Sequence, residues 1–160
     1  MTFDNSKTII NFRIKLFFAT ILAIAWIALA YLIKLIKFPL LGIDDGIWTL
    51  IIVLIWLVIA LIPMILNYQY VFYSDEGENI VFRYFNAGIV GGKKNSIEIY
   101  KPTFAGYSTA NKYFGLSSNI TLYQKTGPDT AKFPPVYISA LTKDQKEKLF
   151  RSLSSYSPKK

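Results

Sequence analysis

Residues 47–66 read IWTLIIVLIWLVIALIPMIL, twenty positions without one charge, fourteen of them Leu, Ile or Val. As a helix rising ~1.5 Å per residue, the run spans ~30 Å, the thickness of the hydrocarbon core of a bilayer. At ~0.3 to 0.6 kcal/mol per branched side chain, insertion into lipid is favoured by at most ~4 to 8 kcal/mol. A second uncharged run, Leu16–Ile33, has 18 residues, ten of them Leu, Ile or Phe. It spans ~27 Å and gains ~3 to 6 kcal/mol on the same scale. The expectation is a transmembrane hairpin over residues 16–66, with spans at about 16–33 and 47–66. A buried hairpin in a soluble helical protein fits two such runs poorly. The first run has some marks of a signal peptide, with Lys7, Arg13 and Lys15 ahead of it and Ala28-Leu29-Ala30 inside it. It is longer than an ordinary leader core and is read as a span.

These two runs account for most of the unusual composition. The chain has 160 residues, is 52% hydrophobic and only 18% charged, and has a mean hydropathy of +0.33. A soluble domain of this size carries more charge. His and Cys are both absent. That removes Ser-His-Asp triads, Cys nucleophiles, His bases, Cys/His zinc sites and disulfides.

The net charge of +8 is partitioned along the chain. The first 15 residues, read as a cytoplasmic N-terminal tail, carry Lys7, Arg13 and Lys15 against Asp4. The loop at 34–46 balances Lys34 and Lys37 with Asp44 and Asp45. The segment 67–160 holds 13 basic against 7 acidic residues. The three parts are thus +2, 0 and +6. The positive-inside rule then expects both termini in the cytoplasm and the short loop outside. Tyr31 and Trp48 suit the outer interface, Tyr68 and Tyr70 the inner one, and Pro63 falls in the last turn of its span.

Trp26 and Trp56 lie near the middle of their spans, at similar depth in an antiparallel hairpin. An indole N–H there needs a partner, so both rings are expected to face protein: the opposite helix or another subunit. A lipid-facing ring is the alternative. Ala19 and Ala23 form a small-xxx-small pair that permits close helix approach.

Residues 67–160 read as a separate cytoplasmic β-domain. Strands are expected at 68–74, 80–86, 96–101, 104–110, 120–125 and 132–139. Ile80, Phe82 and Tyr84 share one face of their strand. Asp75-Glu76-Gly77-Glu78-Asn79 and Gly127-Pro128-Asp129 are turns by composition. Thr142 with Gln145 has capping-box spacing, and Leu149, Phe150 and Leu153 make an apolar stripe, so a helix is expected at about 142–155. Several antiparallel strands followed by one amphipathic helix predict a curved sheet or small barrel with the helix over one end.

Lys112-Tyr113-Phe114-Gly115-Leu116, Ile120–Lys125 and the run Pro134–Leu141 leading into the helix carry a resemblance. The chain resembles small bacterial inner-membrane proteins with two spans and a cytoplasmic pleckstrin-homology-like domain. The resemblance implies that fold and a bacterial inner membrane; it implies no reaction. Phosphoinositide-binding members of the wider superfamily use a basic loop between their first two strands. Here that turn carries Asp75, Glu76 and Glu78, so headgroup recognition by that loop is not carried over.

The remaining chemistry is sparse. Asp44-Asp45 and the acids at 75–78 are read as turn residues, and no acid lies in either span to suggest a proton or ion path. Ser and Lys are plentiful, but no spacing singles out a Ser-Lys pair. Gly88-Ile89-Val90-Gly91-Gly92-Lys93-Lys94 lacks the ending of a phosphate loop. Lys93 and Lys94, with Lys159 and Lys160, are candidates for contact with anionic lipid or an acidic partner, each worth ~1 kcal/mol near an anionic leaflet. No run of five Lys or Arg points to nucleic acid. Tyr100, Tyr107 and Tyr113 are candidates for an exposed partner patch. No catalytic residue, metal or cofactor is expected. The expected role is non-enzymatic: an accessory or scaffolding subunit of a larger membrane complex, built with other subunits or with itself. A membrane-surface sensor of anionic lipid is the alternative, and an enzyme of unknown type comes third.

Overall fold

A computed structural model of the chain describes residues 1–87 and 92–158. The chain forms two compact units. One is Ile10–Ile65; the other joins Met1–Ile9 to everything from Leu66 onward.

The first unit is the helical hairpin. Helix α1 (Ser6–Ile27) runs on through a π-helical turn at Ala28–Leu32, and α2 covers Asp45–Ile65. The helical segments Ser6–Leu32 and Asp45–Ile65 are both long and apolar enough to cross a membrane. Phe17, Phe18, Leu22, Ile24, Leu54, Ile55 and Val58 all stand exposed on them. Exposed apolar surface of this extent marks a site of contact with membrane or protein.

The second unit is mainly β. Strand β1 (Thr2–Asp4) pairs antiparallel with β2 (Gln69–Ser74), which pairs with β3 (Asn79–Asn86), which pairs with β4 (Asn95–Tyr100). A second sheet holds β5 (Phe104–Lys112), β6 (Ser117–Thr126), β7 (Asp129–Lys132) and the two-residue β8 (Val136–Tyr137), with β6 pairing all three others. Helix α3 (Lys143–Tyr156) follows, and the capping box between Thr142 and Gln145 is formed in both directions. Ile80, Phe82 and Tyr84 do share a buried face. They join Val71, Tyr73, Ile97 and Ile99 from the first sheet, Phe104, Ile120, Leu122 and Val136 from the second, and Leu149 and Leu153 from α3 in one core.

Three features differ from the reading of the sequence. The strands make two four-stranded sheets, and among the described residues no ladder closes them into a barrel. The break is a 3₁₀ turn at Lys101–Thr103, where Pro102 has no N–H to continue a ladder. The strand expected at 132–139 is two short ones, because Pro134 and Pro135 interrupt it for the same reason. Finally, Thr2–Asp4, within the stretch read as a tail, is a strand of the domain: Thr2 pairs with Ser74 and Asp4 with Phe72. The hairpin is therefore spliced into the sheet between two neighbouring strands.

Asn5 secures that splice. Its side chain is 1% exposed, donates to the Gln69 carbonyl at 2.8 Å and accepts from the Val71 N–H at 2.9 Å. Its own N–H donates to the Val71 carbonyl at 3.2 Å. One asparagine thus continues the β1–β2 ladder at the point where the chain turns into α1. Asp4 begins the helix by accepting from the Ser6 N–H at 3.0 Å and the Ser6 hydroxyl at 2.6 Å. The Ser6 hydroxyl bond is the main reason its carboxyl titrates below the ordinary carboxylate value; partial burial opposes it.

Candidate functional site

The hairpin brings the expected intramembrane residues together. Trp26 Nε1 donates to Thr49 Oγ1 at 3.1 Å, and Trp56 Nε1 donates to Thr20 Oγ1 at 3.0 Å. Each threonine hydroxyl spends its own proton four residues back in its helix. Thr20 donates to the Leu16 carbonyl and Thr49 to the Asp45 carbonyl, both at 2.9 Å. The oxygens are then free to accept, so the two cross-helix bonds leave no buried donor idle. Tyr31 adds a third bond to Thr49, at 2.8 Å. Ala19 and Ala23 sit on the same face of α1 as Trp26. With Trp56, Ile52 and Ile59 of α2 they line an apolar groove of about 370 Å³.

The β-domain carries the basic residues. On the outer face of the first sheet, Tyr70 and Phe85 are cross-strand partners with stacked rings 4.8 Å apart. In the next row Phe72, Arg83 and Ser96 stand side by side, and the Arg83 guanidinium lies 5.8 Å from the Phe72 ring centre. Lys94 and Asn95 complete a concavity of about 520 Å³ whose lining includes both cations and no carboxylate. Two acids bond residues of its lining. Asp4 accepts from the Tyr70 hydroxyl at 3.2 Å, and Glu98 accepts from Ser96 at 3.4 Å. Burial, and then the Asp4 charge, push the Tyr70 phenol above its ordinary pKa, so it stays a neutral donor. Two cations beside stacked aromatic rings suit an anion attached to an apolar or planar body.

Lys94 therefore lies at a site, and Lys93 is its exposed neighbour. Lys159 and Lys160 lie outside the described residues. The three tyrosines proposed as a patch are dispersed. Tyr107 stacks on Phe150 and bonds Ser154, while Tyr100 and Tyr113 are exposed at other points of the chain.

The fold also makes a Ser-Lys pair that no spacing revealed. Lys146 Nζ donates to Ser118 Oγ at 3.2 Å, and burial holds the ammonium below its ordinary pKa. Ser118 is 6% exposed, its N–H donates to the Ser139 hydroxyl at 3.1 Å, and with Lys146 it lines a concavity of about 290 Å³. The pair fastens α3 to β6.

Arg83, Thr20, Thr49 and Asn5 are the residues that reading the chain did not single out. A signal existed for the threonines, since each is an isolated hydroxyl within an apolar helix. Arg83 was visible only as one charge on an aromatic strand. Comparison of the chain with protein-family models, with curated proteins and with solved structures finds no match.

Proposed function

We propose that this chain is a non-enzymatic integral protein of the bacterial inner membrane, with two spans and cytoplasmic termini. In this reading its β-domain is pleckstrin-homology-like, and it serves as an accessory or scaffolding subunit of a larger membrane complex. Two antiparallel sheets sharing one core with a C-terminal helix support that fold. The observation that carries the role is the splice: the chain enters its spans from β1 and leaves them into β2, and those strands are hydrogen-bonded to each other. A partner that grips the helices therefore acts on chain that continues into a sheet after one residue on one side and three on the other. The test is extraction of the full chain in mild detergent, followed by mass measurement and identification of co-purifying proteins. A homo-oligomer or a stable heteromeric particle is expected. A lone monomer with no companion overturns the subunit role.

The Arg83–Lys94 concavity favours a second reading, a domain that senses anionic lipid. Its floor ends close to where the second helix ends in sequence. The Ala87 N–H, just past β3, donates at 3.0 Å to the carbonyl of Tyr68, three residues after α2. Hydrogen exchange of the full chain in nanodiscs tests it. Amides of β3 and β4 should slow in anionic discs relative to neutral ones, and equal exchange rejects the idea.

A further inference from the structure

The hairpin between β5 and β6 turns through Tyr113, Phe114 and Gly115, all at positive φ (51°, 55° and 88°). Glycine takes that conformation freely; bulky side chains avoid it. Here the turn holds two aromatic residues there, and it displays them. Phe114 is 110% exposed, Tyr113 57% and Leu116 64%. Lys112 precedes them. A turn facing water would carry Asn, Asp or Gly at these positions.

The base of this hairpin is tied to the first residue of the domain after the helices. Ser117, the first residue of β6, donates its hydroxyl at 3.5 Å to the carbonyl of Leu66, the residue that directly follows α2. Ser117 is three positions from Phe114, a reach of ~10 Å at most. The opposite end of β6, at Thr126, is nine positions and ~30 Å away. There the turn is Gly127-Pro128, leading into Asp129 of β7, without an aromatic side chain. Aromatic residues and a lysine at the end next to Leu66, and none at the far end, match the distribution of side chains across a membrane interface.

We infer that Tyr113, Phe114 and Leu116 form an interfacial anchor, inserted among the lipid headgroups and upper acyl chains. The inference rests on the reading that the helices span a bilayer. The bilayer supplies an apolar layer that covers Phe114, and the exposed turn needs no other protein to do so.

The absence of cysteine permits a direct test, since any introduced cysteine is the single labelling site. Phe114→Cys, Leu54→Cys and Asp129→Cys, each carrying a nitroxide, are compared in the full chain in phospholipid nanodiscs. Collisions with lipid-soluble oxygen are read against collisions with a water-soluble nickel chelate. Oxygen should dominate at positions 114 and 54, and nickel at 129. A label at 114 that reads like the one at 129 overturns the anchor. So does one shielded from both reagents, which signals a protein contact. An aqueous reading at position 54 overturns the membrane reading itself and is distinguishable from either result. Phe114 is outside the core, so its replacement leaves the fold intact.

Discussion

Trp56 Nε1 lies 3.0 Å from Thr20 Oγ1, across a separation of 36 positions in the chain, and Trp26 and Thr49 repeat the arrangement with the helices exchanged. The hairpin thus meets the polar needs of both indoles, with Trp26 and Trp56 not level as expected but offset along it: Trp26 bonds Thr49, seven positions from Trp56 in α2. Thr20→Val keeps the shape and removes the acceptor. The expected cost is about 0.6 kcal/mol and at most about 1.7 kcal/mol, read as a lower midpoint in detergent unfolding of the hairpin. Thr20→Ser should restore it.

Asn5 replaces a missing rung of the ladder. Asn5→Ala removes one donor and one acceptor and strands the Val71 N–H and Gln69 carbonyl in a buried place. Destabilisation of the β-domain by about 2 to 3 kcal/mol is expected, measured by thermal unfolding followed at β-sheet wavelengths.

Removing charge from the outer concavity tests lipid contact. Arg83→Gln and Lys94→Gln should each weaken retention of anionic lipid about fivefold, the equivalent of ~1 kcal/mol per cation. Lipid mass spectrometry of the purified protein gives the readout, and high salt should reduce the difference between variant and parent.

Asp75 makes the β-domain sensitive to acid. Burial raises its pKa. Hydrogen bonds from the Met1 amino group and the Ser152 hydroxyl, with the charges of Met1 and Lys101, more than offset that, and the net position is below the ordinary 3.8. A carboxyl lowered on folding stabilises the folded state at pH values above 3.8 and loses that contribution as the pH falls through its folded pKa. The parent protein should therefore lose more thermal stability between pH 5 and pH 3 than Asp75→Asn does, as shown by paired melting curves.

Much of this architecture is legible in the residues. Uncharged length marks the helices, alternation marks β3 and β4, and the Thr142–Gln145 spacing marks the start of α3, because each is a local pattern. Thr2–Asp4 is three residues long and owes its existence to Ser74, Tyr73 and Phe72, some seventy positions away. No window along the chain contains that pairing. The same holds for the functional surfaces. Lys94 is visible as one of a basic pair, but its companion Arg83 joins it only through the β3–β4 register, in which Tyr84 faces Asn95 and Arg83 faces Ser96. Tyr113 and Phe114 look like ordinary core aromatics until the backbone turns them outward.

The order of the strands also bears on how the chain is made. β1 leaves the ribosome first, but its partner β2 follows only after both helices have been synthesised. The β1–β2 ladder can form only if β1 is still on the side where β2 emerges. On the proposed membrane reading, one helix left uninserted would strand the two on opposite faces of the bilayer. Completion of the sheet is then a proofreading step: the domain finishes folding only on chains whose two helices cross together.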